Sequence, residues 1–319
     1  KEMRDLDMAK KRLVLALGHD ALGTNLPEQK TAVTKTAKAI ADFIQDGWQV
    51  VITHGNTPQL GMIHTALNEF AKNHEGYTPA PMSVCSAMSQ GYIGYDLQNA
   101  LREELLDRGI RKPVSTIITQ VIVDPRDPAF EHPTKPIGNF LSEEDAKRLV
   151  KEKGYTVVED AGRGWRRVVA SPKPQHIVEI ETIRALMDAG QVVVAAGGGG
   201  IPVMETEGNH LKGAAAVIDK DFCSACLAEL VDADCLIILT AVEKVAINFG
   251  KPNQEWLSEL TPERARVLIA EGHFAPGSML PKVQAAVQFS ESKADRYALI
   301  TLLEKAKDGI EGKTGTIIR

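Results

Sequence analysis

Cysteine is scarce in this chain of 319 residues, which has four: Cys85, Cys223, Cys226 and Cys235. So few thiols exclude a disulfide-dense scaffold. Cys223-Ser224-Ala225-Cys226 has C-x-x-C spacing, but only Cys235 is near in sequence and no histidine pairs with them locally. Residues 221–230 read as a helix, on which a spacing of three puts both thiols on one buried face. Positive charge is not in excess either, since 37 Lys and Arg against 42 Asp and Glu leave a net charge of −5. That balance argues against a nucleic-acid binder, which carries a basic face. No apolar run approaches the roughly 20 residues that span a bilayer. The start, Lys1-Glu2-Met3-Arg4-Asp5, lacks the apolar region of a signal peptide. A cytoplasmic protein that engages neither nucleic acid nor membrane is expected. No internal repeat or low-complexity tract is present.

What the chain does have is alternation. Residues 12–17, 48–53, 114–123, 192–196 and 235–240 read as strands. Residues 31–46, 62–70, 90–108, 177–189 and 221–230 read as helices. Strand–helix alternation implies crossover connections and a mainly parallel sheet covered on both faces. The expected fold is therefore a three-layer α/β/α sandwich. Residues 124–174 break the rhythm with Pro125, Pro128, Pro133, Pro136, Pro172 and Pro174. They read as an excursion with short strands and one helix, a lid over a site or a surface elaboration.

Three strands run into glycine-containing loops: Gly18-His19-Asp20-Ala21-Leu22, His54-Gly55-Asn56-Thr57-Pro58-Gln59, and the tetrad Gly197 to Gly200. Without Cβ atoms, successive N–H groups can turn together toward phosphate oxygens. A mobile glycine turn is the competing reading of the tetrad. Neither G-x-x-x-x-G-K-[ST] nor, at the first strand–helix turn, G-x-G-x-x-G is present, which excludes a P-loop and gives no support to a dinucleotide fold. Cations come from elsewhere. Lys220 lies between Asp219 and Asp221, Lys282 follows Gly277-Ser278-Met279-Leu280-Pro281, and Lys135 sits in the excursion. Phosphoryl transfer relies on positioning and cation placement, a task that suits two or three lysines and an orienting aspartate.

Together these segments resemble the carbamate kinases of the amino-acid kinase superfamily over nearly the whole chain. The segments are Ser89-Gln90-Gly91-Tyr92-Ile93-Gly94-Tyr95, Pro133-Thr134-Lys135-Pro136-Ile137-Gly138, Glu159-Asp160-Ala161-Gly162-Arg163-Gly164, Gly197 to Pro202, Val217 to Asp221 and Gly272 to Lys282. The resemblance implies a single amino-acid kinase domain over 1–319 with a protruding lid-like subdomain at 124–174. It implies reversible phosphoryl transfer between carbamoyl phosphate and ADP, giving ATP and carbamate. By similarity, Lys220 and Lys282 flank the phosphoryl group, Asp221 orients them and Lys135 reaches down from the lid. Gly18, His19, Asp20, Gly55, Asn56, Gly198, Gly199 and Gly200 fall on the acceptor side, in the N-terminal lobe. Thr240, Val245, Gly277, Ser278 and Met279 fall on the nucleotide side, in the C-terminal lobe. Mg²⁺ accompanies ATP or ADP with no side-chain cage of its own, and a homodimer is expected from the family alone.

The chain departs from that pattern in its loops. Gly18-His19-Asp20-Ala21-Leu22 stands where the family has Gly-Gly-Asn-Ala-Leu, and Thr57 stands where the second loop has glycine. Ala241 replaces the aspartate of a frequent Thr-Asp-Val. A left-handed backbone at either loop position would cost on the order of 1–3 kcal/mol. Asp20 adds negative charge beside an anionic substrate. Three readings follow: an active carbamate kinase with weakened turnover, a kinase with another small acid acceptor, or a nucleotide-binding homologue that has lost catalysis.

Overall fold

The computed structural model describes residues 11–18, 21–159, 162 and 164–319. Eight strands form its central sheet: β1 (Arg12–Leu17), β2 (Gln49–His54), β3 (Val114–Thr116), β9 (Val192–Val194), β12 (Cys235–Leu239), β15 (Glu259–Leu260), β16 (Tyr297–Thr301) and β17 (Thr316–Ile318). Their order is β15-β17-β16-β12-β1-β2-β9-β3, and only β16 with β17 is antiparallel. Strand periodicity assigns the two faces. Leu13, Leu15 and Leu17 join a core with α1 (Leu26–Gln45), α3 (Met82–Asp107) and α9 (Ala306–Ile310). Val14 and Ala16 join the opposite core with α5 (Ile180–Asp188), α6 (Lys220–Leu230), α7 (Pro262–Ala270) and α8 (Met279–Glu291). This is the three-layer α/β/α sandwich with a mainly parallel sheet.

Boundaries differ from the sequence reading where caps and side chains intervene. Helix α1 begins at Leu26 rather than 31 because the Asn25 side chain accepts from Glu28 N, while the Glu28 carboxylate accepts from Thr24 N. That reciprocal arrangement satisfies donors a helix start leaves open. Residues 114–123 form two strands in two sheets instead of one. Between them Gln90 accepts from Thr119 N and donates to Thr119 O, while Thr119 Oγ1 donates to Ile117 O. Backbone pairing passes from Val194, which accepts from Ile117 N, to Ile201, which donates to Thr119 O, and the side-chain bonds hold the step between. The chain then turns into β4 (Gln120–Ile122) of a second sheet, with β8 (His176–Ile177), β10 (Ile201–Thr206) and β11 (His210–Gly213). The strand read at 192–196 is shorter, ending at Val194.

The described residues of 124–174 contribute no strand to the central sheet. They hold a three-stranded antiparallel sheet of β5 (Lys135–Leu141), β6 (Thr156–Glu159) and β7 (Trp165–Val169), with α4 (Glu143–Lys153). Ile137 and Val169 pack with Leu60 of α2 (Thr57–Lys72) and with Val217, which joins this sheet to the body. A hairpin of β13 (Val245–Ile247) and β14 (Glu255–Leu257) completes the elements. No helix among the described residues is long and apolar enough to cross a membrane.

Candidate active site

Neighbouring parallel strands end at the same edge of a sheet, so adjacency decides which loops meet. The adjacent strands β12, β1, β2 and β9 are in register through Ala16↔Ile238, Leu17↔His54 and Ile52↔Val194. Thr240, Gly18, Gly55 and the tetraglycine segment therefore follow side by side, where open α/β sheets bind ligands. Gly18 is packed tightly, since a Cβ there would lie 3.2 Å from the Leu239 carbonyl oxygen. His19 and Asp20 lie outside the described residues.

The tetrad owes its glycines to both backbone and space. Gly198, Gly199 and Gly200 have φ of +68°, +84° and +83°, the left-handed region that L side chains avoid. A Cβ on Gly197 would overlap the His54 ring, and one on Gly198 the Asn56 carboxamide. On Gly199 it would meet the Ile218 carbonyl, and on Gly200 the Val121 side chain. Gln90 fastens the loop by donating to Gly197 O at 3.0 Å, and Asn56 Nδ2 donates to Ser89 Oγ at 2.8 Å. Thus the Ser89-Gln90 pair on α3 shapes the glycine loop. Among the described residues, no acceptor faces the N–H groups of Asn56, Gly197 or Gly198, although all three residues are buried. Buried donors of this kind call for an acceptor.

The charged cluster lies at the start of α6. Asp219 caps that helix by accepting from Asp221 N at 2.9 Å, which makes Lys220 its first residue. Lys220 Nζ donates to Asp221 Oδ1 at 2.6 Å, and Lys282 Nζ, from the first turn of α8, donates to Oδ2 at 2.9 Å. Burial alone would push the Asp221 carboxyl up, yet the two ammonium groups hold it well below the ordinary carboxylate range. Burial pushes Lys220 down, and the Lys282 charge adds to this against the pull of Asp221. For Lys282 burial acts the same way but Asp221 outweighs it, so the group stays above its ordinary value. The trio thus sets two lysines against one carboxylate in a nearly enclosed place. The Lys220 stem passes Gly55, at 3.8 Å from where a Cβ would stand. Lys135, at the head of β5, donates to Asp219 Oδ2 at 2.6 Å. On the far side of the strand edge, Thr53 Oγ1 and Ser224 Oγ are 2.6 Å apart, and Ser224 Oγ donates to Lys220 O, which ties β2 to α6.

The remaining expected residues are spread more widely. Thr240 follows β12, and Gly277, Ser278 and Met279 form the start of α8, one turn from Lys282. Val245 is fully buried in the core, and its N–H donates to Thr316 Oγ1. Cys223 and Cys226 lie in α6, where burial pushes both thiols up, Cys226 to about 12. Thr57 is the first residue of α2, in helical backbone rather than the left-handed region. Sequence reasoning passed over His54 and Gln90 as separate site residues. Gln90 falls in a segment that carried the resemblance, whereas His54 reads only as the first residue of the second glycine-containing loop.

The lysine pair and the glycine loops meet at the ends of the parallel strands of an α/β protein. The chain belongs to the amino acid kinase family, whose model matches residues 11–301. Its similarity extends over the full length of the carbamate kinases within that family. It is 64% identical to the carbamate kinase-like protein YqeA of Escherichia coli (strain K12), over 97% of this chain and 99% of that protein. It is 52% identical to the carbamate kinase of Clostridium perfringens, over 96% of this chain and 99% of that one. Carbamate kinase from Giardia lamblia bound to AMP-PNP superposes with a TM-score of 0.88 at 39% identity, covering 97% of this chain and 98% of the other.

Proposed function

We propose that the protein catalyses the reversible transfer of a phosphoryl group from carbamoyl phosphate to ADP. A terminal phosphate oxygen of ADP forms the new P–O bond, the P–O bond to the carbamate breaks, and ATP and carbamate result. The observation that carries this reading is the buried carboxylate of Asp221 holding two ammonium groups, 2.6 and 2.9 Å away, beside Gly55. Charge spreads over the transferring oxygens during the reaction, and fixed cations placed beforehand stabilise it. Lys220 and Lys282 supply those cations, and Asp221 fixes their positions. Lys135 adds a third from the 124–174 subdomain, which acts as a lid.

Gly18, His19, Asp20, Gly55, Asn56 and Gly198 to Gly200 take the acceptor side, with backbone N–H groups as donors. Thr240, Gly277, Ser278 and Met279 take the nucleotide, and Val245 shapes that pocket from the core. Mg²⁺ bound with the nucleotide would supply charge neutralisation at its phosphates. Among the described residues no group of three His, Cys, Asp or Glu side chains is placed to hold a metal. The reading places the enzyme in the cytoplasm.

The test is ATP formation from ADP, Mg²⁺ and carbamoyl phosphate. Turnover in the kinase range of roughly 1–100 s⁻¹ is the expected upper bound, and no ATP above background would overturn the reading. A triple variant, His19→Gly, Asp20→Asn and Thr57→Gly, measures what the altered loops cost. Thr57 sits without left-handed strain, so any gain should come from positions 19 and 20 and appear as a lower KM for carbamoyl phosphate. Parent and variant that both bind ADP yet make no ATP would favour another small acid acceptor.

A homodimer is part of the proposal. On α3, Val84, Met88 and Tyr95 are exposed, and Gly91 stands between them at helical spacing with nothing within 4 Å of its Cβ direction. Such an apolar row with a gap at its centre suits a second helix approaching closely.

A further inference from the structure

The buried ring of His54 is held at one edge and unpaired at the other. His54 ends β2 and is 1% exposed. Its Nδ1 lies 2.8 Å from the Gly55 carbonyl oxygen, which can only accept, so the proton is on Nδ1. Nε2 has no hydrogen-bond partner among the described residues, and it presses on Gly197, where a Cβ would overlap it. We infer that His54 is a positioning residue that, as a neutral Nδ1–H imidazole, sets the Gly55 and tetraglycine loops as one anion-binding surface.

The peptide bond supplies the link. In a planar trans peptide the carbonyl and the following N–H point in opposite directions. Holding the Gly55 oxygen toward the imidazole therefore turns the Asn56 N–H away from the ring, where none of the described residues accepts from it. The other edge of the same ring sets how near Gly197 can come, and the Asn56 carboxamide does the same for Gly198. One side chain thus fixes the unpaired donor of one loop against those of the next. A protonated ring would bury a second N–H against Gly197 without an acceptor. Burial and the Lys220 charge also disfavour the cation, and His54 is pushed down to about 4.

This inference rests on reading the loops as the phosphate site of the proposed reaction. Two full-length variants test it: His54→Phe keeps the ring and removes the donor, and His54→Asn places an amide nitrogen where Nδ1 stands. If the phenylalanine variant does not fold, His54→Gln, whose amide reaches the Nε2 position instead, takes its place. His54→Phe should raise the KM for carbamoyl phosphate by about tenfold or more while the KM for ADP stays within about twofold. It should also lose the rise in melting temperature that inorganic phosphate gives the parent. His54→Asn should recover both. Equal KM rises for both substrates, equal defects in both variants, or a His54→Phe protein indistinguishable from the parent would overturn the inference. A parent that makes no ATP defeats the proposed reaction, and phosphate stabilisation of the parent and variants then decides about His54. No phosphate stabilisation of the parent at all would count against His54 as well.

Discussion

At Asp221 burial and charge oppose each other, and charge prevails because two ammonium groups face one carboxylate. Removing Asp221 leaves two buried ammonium groups without their partner, and removing either lysine takes a fixed cation from the site. Lys220→Ala or Lys282→Ala should lower the rate of ATP formation by about 10²–10³-fold or more, and a rate within threefold of the parent would refute a catalytic role. Asp221→Asn removes the group that supports both lysines against burial. Their proton affinity then falls, so the alkaline limb of the kcat–pH profile should move to lower pH, and an unmoved limb would argue against the pairing. His54 makes a prediction about stability with a definite sign. Its folded value is about 4 against an ordinary 6.5, so between these the unfolded state binds more protons and stability rises with pH. Acidification through that window should cost about 3 kcal/mol from this group. Urea midpoints between pH 4 and 7 should therefore fall more steeply for the parent than for His54→Asn, and parallel curves would contradict the burial effect.

Among the elements, the tetraglycine loop shows why a weak sequence signal becomes specific in context. Four glycines alone allow a mobile turn, whereas here three have left-handed φ and all four have a neighbour where a Cβ would go. Gly198→Ala should cost on the order of 1–3 kcal/mol for its backbone and more for displacing Asn56. Its melting temperature and its KM for carbamoyl phosphate should both move, and an unchanged KM would detach the loop from the substrate. Lys135 stands on β5, outside the central sheet, and is tied to Asp219 rather than Asp221. Lys135→Ala should therefore reduce kcat less than Lys220→Ala and raise the KM of a substrate. A kcat loss as large as that of Lys220→Ala would place Lys135 among the central cations instead. Element type was legible where the pattern is local, as in β1, whose continuous apolar run marks residues 12–17. It was not legible at 114–123, because the break comes from Gln90, about thirty residues earlier. Nor was the start of α1, which its cap decides rather than its apolar face.

For the whole molecule, a parallel sheet followed from apolar strands buried on both faces, but strand order did not. That β9 pairs with β2, and β12 with β1, is set by packing across long stretches of chain. The lysines were visible as motifs, whereas the convergence of Lys220 and Lys282 on one carboxylate depends on α6 packing against α8. His54 was hidden because it reads as the opening of a loop, and nothing local tells a buried strand end from a loop residue. Quaternary structure is hidden for a similar reason: an apolar helix face reads the same whether a monomer or a second copy buries it. In this fold Val84 and Met88 are each 48% exposed and Tyr95 is 65% exposed, so the monomer leaves that row of α3 uncovered. Light scattering at micromolar concentration should give about twice the 34.6 kDa chain mass. Met88→Asp puts a charge into the row without touching the core, so it should yield a folded monomer with an unchanged melting transition at low concentration. Gly91→Arg should do the same by filling the gap. A parent of single-chain mass would remove the dimer, and a Met88→Asp protein that stays dimeric would move the interface to another face.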